Sequence, residues 1–534
     1  MATLALSMIL KNGAATLRSC LQSVAGIVDQ IVIADTGSTD ESCAIAREFG
    51  ATVISFPWTD HFADARNAAL AGVTTDWVLV LDADEELDPA ARHSLPMLMA
   101  AEGVGGYRVP IVEYLPPQVT SAWTFTSMPN DSGLERAKEA PTYMVNELCR
   151  LFRRRSDIYF TGRVHELVLP QIEKAGLADA LAPFSIHHFG HLADESVRVG
   201  KRTFYHDLLM ARLSDDPTNV TTLALCAMDE WEVHGRPLEA LRYLEQALRL
   251  MPNALEPMLL AAKVLCALHR HEEALVVLQA VAADRKYAPF AYTVRGNACY
   301  ALGRLEEARG AYRVALALNP GDRELAAKLE YLGVELGDAE GAIKRLQHAA
   351  AECPTILAIH EYLVNAYIRT GRTAEAAEEA ERFATTVDRQ ESLLLKAAAL
   401  RGQLQQWSRV ESLALQCLAS FPQSVEGHRL LMMAYVASGR GSEAAEAAEA
   451  LTELEVEPGS FLRAASIHAH HGGLLRARAV LVRGLQVFPD DRTLGQALRE
   501  MGADAARGEP GSGFSGATDR DSEAQMVPES GARG

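Results

Sequence analysis

The chain has 534 residues, with 51 lysines and arginines against 70 aspartates and glutamates and a formal net charge of −19. This length predicts either several domains or one domain with a repeat array, and a charged fraction of 23% excludes disorder throughout. The acidic balance argues against a nucleic-acid partner, which needs a basic surface to displace counterions. The eight cysteines show no Cys-x-x-Cys pair, and no apolar run approaches the ~20 residues that cross a bilayer. We therefore expect free thiols and a cytoplasmic protein without a transmembrane segment.

Strands and helices alternate in the first part of the chain. Hydrophobic patterning predicts strands at 4–10, 30–34, 51–55 and 77–81, and helices at 14–25, 40–48 and 62–72. This alternation predicts parallel βαβ units in a doubly wound α/β sheet. In such a sheet the ligand site lies at the carboxyl ends of the strands.

Two acidic loops follow strands at that edge. Asp35 directly follows the second strand, and Asp82 and Asp84 follow the apolar strand 77–81. Carboxylate oxygens that converge there suit Mg²⁺ or Mn²⁺, which would neutralise a diphosphate. A Rossmann dinucleotide site is disfavoured, since no Gly-x-Gly-x-x-Gly follows the first strand. The alternatives are a solvated Asp-x-Asp turn and, for Ser38-x-x-Glu41, a helix capping box that leaves Asp35 unexplained.

Two further segments precede the second half of the chain. Residues 113–145, with Pro116-Pro117 and Trp123, are predicted to form a long loop, which suggests an acceptor-side lid. His187-His188-x-x-His191 has near-zinc spacing. The intervening Phe189-Gly190 disfavours a regular helix, so we expect no zinc site there.

The second half of the chain repeats every 34 residues. A small residue recurs at Ala240, Ala274, Ala308, Ala342, Ala376, Val410 and Ala444, and after a one-residue slip at Ala477. A second position recurs four residues later, as Leu244, Leu278, Tyr312, Leu346, Ala380, Ala414, Ala448 and Leu481. This pattern is typical of tetratricopeptide-repeat helix pairs. About eight repeats at 221–492 are therefore expected to stack into a superhelix with a concave surface for protein partners.

The flanks of this array are predicted to differ from it. A connecting helix is expected at 198–220, and residues 493–534, which lose the periodicity, are predicted to be disordered. The cluster His468-Ala-His470-His471 is expected to end a helix of the last repeat rather than to bind a metal.

Ordered motifs in the first part resemble family 2 glycosyltransferases of the GT-A fold. They are Ser7-Met-Ile-Leu-Lys11-Asn12, Ile33-Ala-Asp35-Thr-Gly-Ser-Thr-Asp40, Ala65-Arg66-Asn67-Ala-Ala-Leu70 and Trp77-Val-Leu-Val-Leu81-Asp82-Ala-Asp84-Glu85, followed by Asn146-Glu-Leu-Cys-Arg150, Gly162-Arg-Val-His165-Glu166 and Ile186-His-His188-Phe-Gly190. The chain is most similar to the lipooligosaccharide β-1,4-glucosyltransferase-like branch. It also resembles the sublancin-type peptide S-glycosyltransferases, which carry C-terminal helical repeats. The resemblance implies a nucleotide-diphospho-sugar transferase-like domain at 1–197.

The same resemblance implies roles for individual residues. Asp35 would contact the nucleotide base, Asp82 would lie near the ribose and the metal, and Asp84 would be the main metal ligand. His188 would be a further metal ligand or a diphosphate contact. Lys11 and Arg66 would belong to the donor pocket, and the cofactor would be Mn²⁺ or Mg²⁺.

The catalytic base is less clearly marked by the motifs. Inverting enzymes of this fold need a carboxylate base below the sugar, and the usual Glu-Asp pair is not evident downstream. Glu166 is our candidate, because it could deprotonate an acceptor hydroxyl or thiol. Glu85 and Glu147 remain alternatives, and an exposed salt-bridging pair is the structural alternative for His165-Glu166.

These observations together predict an inverting glycosyltransferase. It would move a hexose from a nucleotide-diphosphate sugar, expected to be a UDP-sugar, to a peptide, protein or glycan acceptor recruited partly by the repeats. The alternative is a catalytically silent repeat scaffold that only binds nucleotide-sugar or protein. A nucleotidyltransferase is disfavoured, because Lys11-Asn12-Gly13 is a poor substitute for the Gly-rich basic loop that such enzymes use.

Overall fold

The computed structural model describes residues 2–116, 121–122, 125–126, 128–130, 132–192, 195–386 and 391–507. It divides into two compact units, Met1–Leu329 and Glu330–Gly534. None of the eight cysteines, all of which lie in the described ranges, forms a disulfide. Within the described ranges, no helix combines the length and the apolar character that a membrane span requires.

The strands and helices predicted for the first part of the chain are present, with small shifts at their ends. In chain order the strands β1 to β12 are Leu4–Leu10, Gln30–Asp35, Thr52–Ser55, Trp77–Val80, Glu85–Leu87, Val104–Leu115, Ser121–Ala122, Phe125–Thr126, Met128–Pro129, Thr142–Arg153, Ala178–Leu181 and Ile186–His188. The helices α1 to α5 between them are Ala14–Ser23, Ser42–Glu48, Phe62–Ala71, Ala91–Ala100 and Leu169–Lys174.

The main sheet has a parallel half and a mixed half. Its strand order is β3-β2-β1-β4-β10-β6-β12-β5, with β11 also pairing with β6 and β9 with β10. Strands β1 to β4 are mutually parallel, whereas β10 is antiparallel to both β4 and β6. Strand β12 runs parallel to β6 and antiparallel to β5. The α/β fold expected from the sequence is confirmed.

Strand β4 explains why this sheet is covered on both faces. Trp77 and Leu79 belong to one apolar cluster, and Val78 and Val80 belong to another. Successive side chains of a strand point to opposite faces, so these two clusters lie on the two sides of the sheet. Burial on both faces is what makes this strand a continuous apolar run.

The predicted long loop at 113–145 is wrong at both ends. Strand β6 continues to Leu115 and β10 begins at Thr142, and the two pair from Leu115↔Thr142 to Gly106↔Phe152. Between them lie β7 to β9 and a 3-10 turn at Glu135–Ala137. Pro117 and Trp123 lie outside the described residues. The strands β6 and β10 were not recognised from the sequence, because prolines and polar residues are frequent in the segment between them.

The helices after the sheet form the predicted repeats. The connecting helix α6 spans Glu195–Asp215. Helices α7 to α22 are Val220–Met228, Pro237–Leu250, Leu255–Ala267, His271–Val281, Ala288–Ala301, Leu305–Leu318, Arg323–Glu335, Ala339–Glu352, Leu357–Arg369, Thr373–Thr386, Glu391–Gln403, Trp407–Ser420, Val425–Ala437, Gly441–Leu454, Pro458–His470 and Leu474–Val487. A π-helical turn at Asp229–Val233 follows α7.

The 34-residue pattern marks the packing positions of these helices. Every small residue from Ala240 to Ala477 in that series is fully buried, as are the residues from Leu244 to Leu481 four positions later. Gly296 illustrates the need for small residues, because a Cβ there would lie 2.2 Å from the ring of Tyr312. The repeat prediction is therefore confirmed at the level of individual side chains.

The end of the array differs from the prediction. Helix α23 spans Arg492–Arg507, so the expectation of disorder from 493 onward is wrong for this helix. Leu494 and Ala497 bury one face of it against the preceding helices. Residues 508–534 lie outside the described residues. Helix α21 ends at His470, as expected for the histidine cluster, and His468 pairs with Glu449 at 2.5 Å.

Candidate active site

The loops that follow β1 and β2 are hydrogen-bonded to each other. The Asp35 carboxylate is buried and accepts hydrogen bonds from the backbone N–H groups of Gly37 and Ser38. Ser38 Oγ accepts the Asn12 N–H at 2.9 Å. The capping box that was the alternative explanation of Ser38 is absent, since α2 begins later, at Ser42. Asp35 thus shapes its own loop, a structural role that the sequence did not reveal, while the predicted donor residue Lys11 is exposed.

Asp82 lies between two buried arginines. Its Oδ1 accepts from Arg66 Nη2 at 2.9 Å, and its Oδ2 accepts from Arg150 Nη2 at 3.2 Å. Burial alone would raise the pKa of Asp82, but the charges of Arg66 and Arg150 outweigh it and hold the pKa well below the usual range. The contacts of Asp82 therefore support a role in fixing two cations, and its expected place near the ribose and the metal stays a prediction.

Arg150 has a second carboxylate partner in Glu85. Arg150 Nη2 donates to Glu85 Oε1 at 2.7 Å, and Glu85 Oε2 accepts the Asp82 N–H at 2.8 Å. The Glu85 side chain is only 2% exposed, and burial raises its pKa despite Arg150. Glu85 is thus committed to the network and is a poor choice for the catalytic base. Arg150 belongs to a quoted motif, but only the sheet pairing of β10 with β4 brings it to Asp82.

Arg66 links this network to the candidate base. Its Nε donates to Glu166 Oε1 while its Nη2 holds Asp82, so one guanidinium bridges two carboxylates. Arg66 Nη1 and Arg150 Nε are both buried without a hydrogen-bond partner among the described residues. Leaving such donors unpaired is costly.

Glu147, the other alternative for the base, lies elsewhere. It is on β10, where it pairs with Arg108 at 2.6 Å on an exposed surface, and Arg108 also pairs with Asp179. Glu166 follows His165, a residue with a left-handed backbone (φ 51°), in the turn closed by Thr161 and Leu167. The structure thus brings Glu166, and not Glu147, to the Arg66–Asp82 group.

Asp84 and His188 form a second group. His188 Nε2 lies 3.7 Å from Asp84 Oδ2, and the Phe189 N–H donates to the Asp84 backbone carbonyl. Gly190 is packed against both side chains, because a Cβ there would lie 2.5 Å from His188 Nε2 and 2.8 Å from Asp84 Oδ2. The absence of a side chain at Gly190 leaves room beside one oxygen and one nitrogen ligand atom. This donor set fits a divalent metal ion.

The register of β12 brings two more candidate ligand residues, Glu113 and His191, to this group. His188 pairs with Glu113 of β6 on one side and with Glu85 of β5 on the other. His191 Nε2 lies 3.0 Å from Glu113 Oε2, and the ligand atoms of Glu113, His188 and His191 all lie within 4.8 Å of one another. Burial would lower the pKa of His188, but the carboxylates of Asp84, Glu85 and Glu113 raise it to about 9.

Of the three histidines noted in the sequence, His188 and His191 therefore belong to this ligand group and His187 does not. His188 and His191 converge on Glu113, whereas His187 points to the other side of β12. There its Nδ1 lies 2.9 Å from the Tyr114 hydroxyl and its ring stacks on Tyr114, within an apolar cluster that includes Phe189. Glu113 could not have been found from the sequence, because it lies 75 residues before His188 and only strand pairing joins them.

Aromatic rings line the side of the network near Glu166. Phe62 stacks on Tyr205 with centroids 5.9 Å apart, and His165 lies 6.5 Å from the same ring. Trp58 and Phe204 extend this group, with their ring centroids 5.8 Å apart. Tyr205 and Phe204 come from α6 and are partly exposed. The connecting helix therefore contributes surface next to the candidate base.

Comparisons with known proteins agree with both halves of this description. Residues 6–159 match the family model for glycosyl transferase family 2. Residues 234–292 and 289–322 match tetratricopeptide-repeat models.

Two curated relatives and one solved structure illustrate the similarity. A TPR repeat-containing protein of Synechococcus elongatus is 33% identical over 264 residues, which make up 46% of this chain and 60% of that protein. The lipopolysaccharide core biosynthesis glycosyltransferase LpsC of Rhizobium meliloti is 29% identical over 37% of this chain and 73% of its own length. A tetratricopeptide repeat protein of Parabacteroides merdae is 18% identical, with a TM-score of 0.36, over 45% of this chain and 94% of that one. The chain thus spans less than two thirds of the first of these relatives.

Proposed function

We propose that this chain, a family 2 glycosyltransferase domain followed by tetratricopeptide repeats, transfers a hexose from a nucleotide-diphosphate sugar to an acceptor with inversion of configuration. The observation that carries the proposal is the pair of buried arginines, Arg66 and Arg150, each with one donor nitrogen left unpaired among the described residues. They are fixed by Asp82 beside the carboxyl end of β4, where a doubly wound sheet binds its ligand. An anionic diphosphate is the ligand that such a preorganised pair of cations recognises.

The chain's own residues divide the work in this proposal. Asp35 and Lys11 are at the nucleotide end, at the tips of β2 and β1. Arg66 and Arg150 bind the diphosphate, and Asp82 orients both guanidinium groups. Because catalytic stabilisation depends on donors that need no reorganisation, holding both cations on one carboxylate favours departure of the diphosphate.

Asp84 and His188 are the proposed ligands of a divalent metal ion, with Glu113 and His191 nearby. Mg²⁺ or Mn²⁺ would supply additional neutralisation of charge on the leaving diphosphate. Gly190 leaves the room between Asp84 and His188 that such an ion requires.

Glu166 is the proposed catalytic base. Its carboxylate contacts Arg66, and a carboxylate held beside an acceptor hydroxyl or thiol can take up the proton of that group. Tyr205 and Phe204, partly exposed beside Glu166, offer apolar faces for an acceptor group.

Two observations bear on the class of acceptor. The name of the Rhizobium relative supports a glycan acceptor, and the repeat array supports a peptide or protein recruited through its helices. A UDP-sugar is the expected donor. Eight cysteines without a disulfide support action in a reducing compartment such as the cytoplasm.

A donor panel with the full-length protein tests the proposal. Released UDP or GDP is measured with Mn²⁺ or Mg²⁺, and nucleotide affinity is measured separately by calorimetry. Glu166→Gln is expected to lose at least about 100-fold in turnover while keeping nucleotide affinity, because general base catalysis contributes about 10²–10⁴-fold. The matched control is Glu147→Gln, an exposed carboxylate that also pairs with an arginine, and it should retain activity.

Two outcomes would contradict the proposal. Full turnover in Glu166→Gln would remove this residue from catalysis. Failure of every nucleotide diphosphate to bind in the presence of either metal would favour the silent repeat scaffold instead.

A further inference from the structure

Three potential metal ligands meet where the connecting helix passes the first repeat. His206 lies on α6, Asp229 is the first residue of the π-helical turn after α7, and His234 directly follows that turn. Asp229 Oδ2 lies 2.5 Å from His206 Nδ1 and 3.4 Å from His234 Nε2, and the two ring nitrogens are 3.2 Å apart. None of these residues belongs to the candidate active site.

The spacing of these atoms matches a metal coordination shell. Zinc–nitrogen bonds of about 2.0–2.1 Å in tetrahedral geometry place neighbouring ligand atoms about 3.4 Å apart. Two of the three observed separations, 3.2 and 3.4 Å, are already close to that value. Only the contact of His206 with Asp229 would need to open to admit an ion.

The chemistry of the contact suits an ion as a shared partner. Both imidazole nitrogens face one carboxylate oxygen and each other. If both facing nitrogens carried protons, two N–H donors would meet at 3.2 Å. If one lacks its proton, its lone pair accepts the other N–H in a hydrogen-bonded triad. If both lack theirs, the two lone pairs and the carboxylate oxygen face the same small space, which a cation fills.

The local backbone is built to bring two of the ligands together. The π-helical turn is one residue wider than an α-helical turn, and its closing bond runs from the His234 N–H to the Asp229 carbonyl at 3.3 Å. Gly235 then ends the turn with φ +63°. Such π-helical insertions carry a cost in regular packing and occur frequently at functional sites.

Burial differs among the three side chains in a useful way. The Asp229 side chain is 9% exposed, whereas those of His206 and His234 are 23% and 28% exposed. A buried carboxylate needs a partner of opposite charge. The partly open histidine side leaves access for the ion and for a water molecule as its fourth ligand.

We propose that His206, Asp229 and His234 bind a divalent transition metal ion of the zinc class. Two imidazole nitrogens and one carboxylate suit Zn²⁺ and its neighbours rather than Mg²⁺, which prefers oxygen ligands. The ion clamps α6 to the first repeat. Because Tyr205 precedes His206 on α6, the clamp also fixes the helix that carries the aromatic rings beside Glu166.

Titration of the metal-free full-length protein with Zn²⁺, and with Co²⁺ followed by visible absorption, tests this proposal. His234→Gln and His206→Gln should each remove one equivalent of tight Zn²⁺ binding, or weaken it by more than about 100-fold, because even loss of outer-shell partners costs 10–100-fold. Zn²⁺ should raise the melting temperature of the wild-type protein, and this increase should be lost in both variants. His348→Ala is the matched control, since that histidine is exposed and faces Glu352 at 3.4 Å.

The candidate active site also holds histidines, so the two sites must be separated. His188→Gln should still bind the Zn²⁺ ion that His234→Gln loses. The double variant His188→Gln/His234→Gln should bind Zn²⁺ at neither of the two sites. Unchanged stoichiometry and affinity in both His234→Gln and His206→Gln would overturn the proposal. So would loss of all Zn²⁺ binding in His188→Gln alone. Circular dichroism of the metal-free variants checks that each one folds.

Discussion

Gly190 offers a sharp test of the candidate metal site, because a single methyl group there meets both proposed ligands. Its backbone lies outside the left-handed region, so an alanine can adopt the native conformation without strain. Gly190→Ala therefore probes the space beside Asp84 and His188 and little else.

The size of the effect follows from the contacts. An alanine Cβ would lie 2.5 Å from His188 Nε2 and 2.8 Å from Asp84 Oδ2, whereas ordinary van der Waals contact begins at 3.4 Å. His188 must therefore move by the difference between 3.4 and 2.5 Å, about 0.9 Å. A misplacement of about 1 Å in a catalytic site can cost about 100-fold in rate, or about 2.7 kcal/mol in activation free energy.

The assay measures Mn²⁺ affinity and metal-dependent release of nucleotide from the donor sugar, side by side. Both should fall in Gly190→Ala by about 100-fold. Gly310→Ala is the control, since a Cβ at Gly310 meets nothing within 4 Å. If Gly190→Ala kept wild-type metal affinity and turnover, the ion would not bind between Asp84 and His188, and the site assignment would be refuted.

Two further predictions concern the repeats. Gly296→Ala places a methyl group 2.2 Å from the Tyr312 ring, so the free energy of unfolding measured with urea should fall by about 1–3 kcal/mol. Gly310→Ala, where a Cβ meets nothing within 4 Å, should not lower it, and equal unfolding midpoints of the two variants would contradict the packing described above. Burial lowers the pKa of Lys263 to about 8, so the folded repeat releases its proton at lower pH than the unfolded chain does. Stability should rise with pH between about 8 and 10.5 relative to Lys263→Met, and parallel pH profiles of the two proteins would refute this assignment.

The sequence alone predicted the first strands and helices of the α/β part and the helical repeats of the second part. Short apolar runs marked β1 to β4, and the 34-residue series placed a buried residue on each second helix of the repeats. Both patterns are local, since an apolar run or a 34-residue period reports which faces of a strand or helix are covered. For the same reason the sequence alone places Asp35, Asp82 and Asp84 at the ends of strands.

Pairings between distant segments were decided only by the tertiary structure. The register of β12 between β6 and β5 joins His188 to Glu113, and the pairing of β10 with β4 brings Arg150 to Asp82. These contacts add to the expected roles, because Asp82 accepts hydrogen bonds from two arginines and His191 lies in the group of candidate ligands. A sequence pattern records which face of an element is buried, but not which strand lies beside it. Some of the acidic residues therefore have a structural role, and only the fold separates the carboxylates that pair with arginines from those at the proposed metal site.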